Sequence, residues 1–137
     1  MQLIPYLNFA GDCRQAFDFY QRVLHGWILA QMTYGESPMA GQMPPGSGAL
    51  IMHAHLQAGS AELMGADGPS PQAAEAASGI CINVMVDDSG EAERIFHALA
   101  EGGEVTLAMA ETFWAHRFGM LVDRYGKPWM VNHLKTP

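Results

Sequence analysis

Two stretches of this chain carry the same helical pattern of apolar positions. Residues 11–26 read GDCRQAFDFYQRVLHG, and residues 87–102 read DDSGEAERIFHALAEG. In the first, Cys13, Ala16, Phe17, Tyr20, Val23 and Leu24 fall at i, i+3, i+4, i+7, i+10 and i+11, one face of an amphipathic helix. A shift of 76 positions lays Asp12 on Asp88, Ala16 on Ala92, Phe19 on Ile95, Tyr20 on Phe96, Val23 on Leu99 and Gly26 on Gly102. Asp12, and Asp88 or Ser89, stand where an N-cap belongs, and Gly26 and Gly102 where a glycine ends a helix.

Strand-like runs surround each helix. Gln2–Phe9 and Gly79–Val86 precede them. Trp27–Tyr34, Leu50–Gln57 and Ala61–Gly65 follow the first helix; Glu104–Glu111, His116–Asp123 and Pro128–Leu134 follow the second. The last two runs of each half read as hairpins, turning at Ala58-Gly59-Ser60 and at Asp123-Arg124-Tyr125-Gly126. The order is βαβββ, twice. The expected fold is α+β: tandem modules 1–66 and 79–137, joined by a linker at 67–78, forming a curved mixed sheet around a cup with the helices on its outer face. Ser37–Gly48, with three prolines and three glycines, reads as a long loop, either a lid or a surface excursion.

Strand alternation divides the side chains between the helices and the cup. On Leu50–Gln57, the set Leu50, Met52, Ala54 and Leu56 should pack under the helix. Ile51, His53, His55 and Gln57 should then face the cup. Glu62 and Met64, then Cys81, Asn83 and Met85, then Met130 and Asn132 should do the same. Hairpin symmetry brings Arg117 and Gly119 level with Ile51 and His53. The expected site combines His53, His55, Glu62, Asn83, Arg117 and Asn132 with three methionines, and Trp114 at its mouth. An apolar wall with a few convergent polar groups is the usual form of a small-molecule site. Each group also has a structural use: Arg117 in an ion pair, Trp114 in a core, the histidines on a solvated face.

Composition narrows the partners. The chain has 137 residues, enough for one domain, and 49% of them are hydrophobic. The formal net charge is −7, without a basic run, which disfavours nucleic acid and anionic membrane surfaces. No apolar stretch approaches the roughly 20 residues that span a bilayer. The first residues show neither a basic leader nor a long apolar core. Cys13 and Cys81 are expected to be reduced thiols, and the location cytoplasmic.

Beyond these patterns, the segments AFDFY, IMHA, AELMG, FWAHRFG and DRYGKPWM in a tandem βαβββ frame resemble the vicinal oxygen chelate superfamily. That superfamily includes glyoxalase I, bleomycin-resistance proteins and extradiol dioxygenases, and the resemblance is greatest to its PhnB-like branch. The resemblance implies a homodimer and a small-molecule ligand. It also implies four metal-ligand positions, which fall at Pro5, Glu62, Cys81 and Met130. Glu62 keeps the carboxylate; Pro5 has no side-chain donor, Met130 offers a neutral thioether, and Cys81 ligates only as thiolate. The family metal triad is therefore incomplete, and no metal ligand or cofactor is assigned. Sequences of this branch are sometimes labelled demethylubiquinone methyltransferases. The Gly-rich strand-to-helix turn of a typical methyltransferase is missing from this chain.

Two functions follow. One is a binding protein that holds a small molecule without turnover. The other is a metal-dependent lyase, isomerase or dioxygenase, with Glu62 as base or ligand beside His53 or His55 and Arg117 orienting an anion.

Overall fold

The computed structural model describes residues 1–38, 40–68 and 79–136. Its elements run β1 (Tyr6–Phe9), α1 (Cys13–Leu24), β2 (Trp27–Thr33), β3 (Ile51–Ala58), β4 (Ala61–Asp67), β5 (Ile82–Met85), α2 (Ser89–Ala100), β6 (Glu104–Ala110), β7 (Ala115–Val122) and β8 (Pro128–Leu134). A short 3-10 turn at Ala40–Gln42 lies in the Pro/Gly-rich loop. The chain forms two compact units, Met1–Glu75 and Ala76–Pro137, each holding one βαβββ set. The architecture is α+β, with a four-stranded mixed sheet in each unit: β1-β4-β3-β2 in the first and β5-β8-β7-β6 in the second. In both, the strand before the helix runs parallel to the last strand of its unit, and the hairpins are antiparallel.

Boundaries differ from expectation by a few residues. β1 begins at Tyr6 rather than Gln2, although the Pro5 carbonyl still accepts from the Met64 N–H at 3.0 Å. β5 is confined to Ile82–Met85. β4 runs on through Asp67, so the expected linker starts inside a strand; its residues 69–78 lie outside the described residues.

α1 buries the predicted face. Cys13, Ala16, Phe17 and Tyr20 are fully enclosed and Val23 nearly so, while Phe19 joins them and Leu24 stays half-buried. Burying one such aromatic or aliphatic side chain contributes about 1.5–3 kcal/mol. The caps differ from expectation. The Asp12 side chain makes no capping bond. Buried Asp67, arriving from β4, accepts instead from the N–H groups of Gly11 at 2.8 Å and Cys13 at 3.1 Å. At the other end it is His25, not Gly26, that turns left-handed, at φ 53°. Gly26 is required for a different reason: a Cβ there would lie 2.4 Å from the Gln57 carbonyl oxygen. α2 follows the prediction, with the Asp88 carboxylate accepting from the Glu91 N–H at 2.8 Å and Gly102 at φ +75°.

One bulge changes the face assignment on β3. Met32 pairs with His53 and Thr33 with Ile51, so Met52 is an extra residue in the ladder. Alternation resets across it. Ile51 joins Ala54 and Leu56 in the core instead of standing with His53, at 1% exposure.

Candidate functional site

Cross-strand partners share a sheet face, so register assembles the site. In the first unit Tyr6 pairs with Met64, His55 with Met64, Gln57 with Glu62, and Met32 with His53. These residues stand on the face away from α1, whose side of the sheet carries Leu56, Leu63 and Ala54. Within this row His55 Nε2 lies 2.7 Å from Glu62 Oε1, with the two side chains 20% and 19% exposed. The His53 ring stands 6.4 Å from that of His55. The Tyr6 ring stacks against His53 at 6.0 Å, and its hydroxyl meets His53 Nδ1 at 3.3 Å. Burial, then the nearby Cys13 and Tyr34, push the Tyr6 hydroxyl above its ordinary pKa. It therefore stays protonated, and the His53 tautomer sets which of the two groups donates. Trp27, Tyr6 and Met32 bring apolar surface around the row, at 55%, 48% and 42% exposure.

Three of the predicted site residues, His53, His55 and Glu62, thus stand together. Tyr6 is a fourth member that sequence reasoning missed. The signal that could have found it was the alternation Tyr6/Asn8 against Leu7/Phe9 on a strand parallel to β4. A His–carboxylate pair at this separation shares or relays a proton, and leaves the second carboxylate oxygen to accept from a ligand.

The second unit holds the other predicted residues and divides them. Asn83 pairs in register with Met130, and Met85 with Asn132; Asn132 Nδ2 donates to Asn83 Oδ1 at 2.7 Å. Phe118 lies opposite Asn132, and the Trp114 ring meets Phe118 edge-on at 5.4 Å. Arg117 is a correction. It pairs with His133 on the helix side of the sheet, and its Nε lies 3.1 Å from Glu93 Oε1 of α2. Gly119 shares that side, against the Phe96 ring. From Arg117 to Val122 the β7–β8 ladder is regular, so Arg117, Gly119 and Leu121 alternate onto the side of His133, Val131 and Trp129, away from Asn132. The role of Arg117 is the ion pair, with Glu93 also accepting from His97 at 2.9 Å.

The implied family metal does not fit the donor set. Pro5 has no side-chain ligand and, with the parity of Leu7, falls on the opposite side of its strand from Tyr6. Glu62 is engaged by His55. Among the described residues, no group of three or more His, Cys, Asp or Glu side chains is placed to hold a metal ion. No described helix is long and apolar enough to cross a membrane.

The family model described as 3-demethylubiquinone-9 3-methyltransferase matches residues 1–132. The chain belongs to this family. It is 36% identical to protein YjdN of Escherichia coli K12, covering 98% of this chain and 97% of YjdN. The structure of protein PA1353 from Pseudomonas aeruginosa is 45% identical over 96% of each chain, with a TM-score of 0.86. The PhnB protein from Bacillus cereus shares the fold at 22% identity and a TM-score of 0.81, covering 96% of this chain and 98% of that one. The family thus agrees with the resemblance carried by AFDFY, FWAHRFG and DRYGKPWM.

Proposed function

We propose that this protein binds a small molecule against the Tyr6–His53–His55–Glu62 row of its first unit. The observation that carries the reading is the His55–Glu62 contact of 2.7 Å, held four-fifths buried beside exposed Trp27, Tyr6 and Met32. A ligand there meets an acceptor carboxylate, imidazole nitrogens and aromatic surface within one sheet face. That combination favours a flat ligand bearing hydroxyl or N–H donors. The same pair is the group on which turnover would depend: Glu62 takes a proton from the ligand and His55 balances the charge. The methyltransferase description of the family finds no support in this row, which offers acid–base groups and no cradle for a nucleotide-like cofactor. We further read the protein as a cytoplasmic homodimer; light scattering should give twice the 14.9 kDa chain mass.

Catechol is a suitable probe, because its two adjacent hydroxyls match the pair and its ring matches Tyr6 and Trp27. Calorimetric titration should show saturable binding that weakens roughly 10–100-fold in both Glu62→Gln and His55→Ala, the loss of a charged hydrogen bond. Unchanged affinity in both variants would overturn the reading. Metal analysis of the purified protein separates the alternative: stoichiometric metal, lost on Glu62→Ala, would favour the metal-dependent enzyme with His53 or His55 as co-ligand.

A further inference from the structure

The Asn83–Asn132 pair of the second unit is an incomplete hydrogen-bonding device. Two facing primary amides can close a ring of two reciprocal bonds. Here only one is made, from Asn132 Nδ2 to Asn83 Oδ1 at 2.7 Å. Asn132 is 5% exposed, and its Oδ1 is a buried acceptor with no hydrogen-bond partner among the described residues. Such an acceptor is costly, because folding strips its water without replacing it. Asn83, by contrast, stands at the surface with its own Nδ2 group still to donate. The two side chains together present one acceptor and one donor.

Their cross-strand neighbours in register are apolar. Met85 flanks Asn132 from β5 and Phe118 flanks it from β7. Met130 stands opposite Asn83. Trp114 packs edge-on against Phe118 and is 41% exposed, and Met85 is 58% exposed. Met85 is unbranched and adaptable, so a change of its rotamer is the route by which a ligand would reach the Asn132 oxygen. A flat ring entering beside Met85 gains the Phe118 and Trp114 surfaces. A carboxamide or lactam edge on that ring supplies the missing N–H to Asn132 and accepts from Asn83.

We propose that this face of the second unit is a binding subsite for an uncharged aromatic or heteroaromatic carboxamide or lactam. The subsite stands on its own geometry and does not depend on the row around Glu62.

The test is a nuclear magnetic resonance titration of the full chain with benzamide, following the Asn83 and Asn132 side-chain amide signals. Both signals should shift saturably. Benzoate, which replaces the N–H donor with a second acceptor, should bind at least about tenfold more weakly. Asn132→Leu should abolish the benzamide response, and Asn83→Ala, which retains the buried acceptor, should weaken it. Glu62→Gln should leave benzamide binding unchanged, which separates failure of this subsite from failure of the row in the first unit. No saturable shift, equal affinity for benzoate, or full binding in Asn83→Ala and Asn132→Leu would each overturn the proposal. Should Asn132→Leu not fold, the benzoate comparison and Asn83→Ala decide it.

Discussion

Replacing Asp67 with alanine should be among the most damaging single changes in the first unit. The Asp67 side chain is 1% exposed. Its Oδ1 accepts from the Gly11 and Cys13 N–H groups at 2.8 and 3.1 Å, and its Oδ2 from the Ile51 N–H at 2.9 Å. One carboxylate therefore ties the end of β4 to the start of α1 and the start of β3. Alanine removes both acceptor oxygens and with them all three bonds. Cys13 and Ile51 are 0% and 1% exposed, so water does not replace what they lose. Each buried donor left unpaired costs about 1–3 kcal/mol, which gives about 2–6 kcal/mol for the two. That is a large part of the roughly 5–15 kcal/mol typical of a domain. Urea unfolding should show the loss in its midpoint with the slope unchanged, and hydrogen exchange should speed selectively at the Cys13 and Ile51 amides. Tyr34→Phe is the internal control. It deletes only the bond from the Tyr34 hydroxyl to the Asp67 carbonyl at 2.9 Å and should cost about 0.5–1.5 kcal/mol. An Asp67→Ala loss below about 1 kcal/mol would refute the dependence of these buried donors on the carboxylate.

Two further outcomes test the first unit. Because the folded Tyr6 hydroxyl titrates above its unfolded value, its stabilising contribution is complete below the unfolded pKa and is lost as pH rises through the folded one; Tyr6→Phe should remove that alkaline loss of stability and the matching high-pH phenolate absorbance step. Gly11 sits at φ +118°, and a Cβ there would meet only Leu50 Cδ2, at 3.9 Å, so Gly11→Ala should destabilise by at least about 1–2 kcal/mol through backbone strain alone, read in the same urea assay.

Much of the fold was legible in the chain. Apolar spacing found both helices, because their buried faces are continuous and their periods uninterrupted. The hairpin turns were visible because Gly59 and Gly126 stand at φ +61° and +81°, where glycine is the favoured residue. That His53, His55 and Glu62 share one face was legible because alternation holds along β3 from His53 and along β4. The errors have two sources. Alternation carries no mark of an extra residue, so the bulge at Met52 put Ile51 on the wrong side; Arg117 and Gly119 were misplaced because alternation alone does not say which face of β7 packs on α2. Long-range capping was equally hidden. Asp12 occupies the local cap position, but the acceptor is a carboxylate 54 residues from Cys13, a link only the tertiary fold creates.

A repeat so clear in sequence nonetheless carries two unlike faces, and backbone path is again the cause. The 76-residue shift lays Phe9 on Met85, yet Phe9 is 1% exposed and Met85 58%. Both strands reach their helices over the same number of residues, from Phe9 to Cys13 and from Met85 to Ser89. Only the first connection passes through a positive φ, at Gly11; Asp87, its counterpart, has none. A changed backbone path over an equal length inverts which side chains β1 and β5 turn away from their helices. Tyr6 is displayed where Ile82 is hidden, and Asn83 is displayed where Leu7 is hidden. The first face thereby gains a phenol beside two imidazoles and a carboxylate, while the second gains an amide beside an amide. Duplication copied the helices, the strand order and the hairpins; the chemistry diverged through the facing of one strand in each unit.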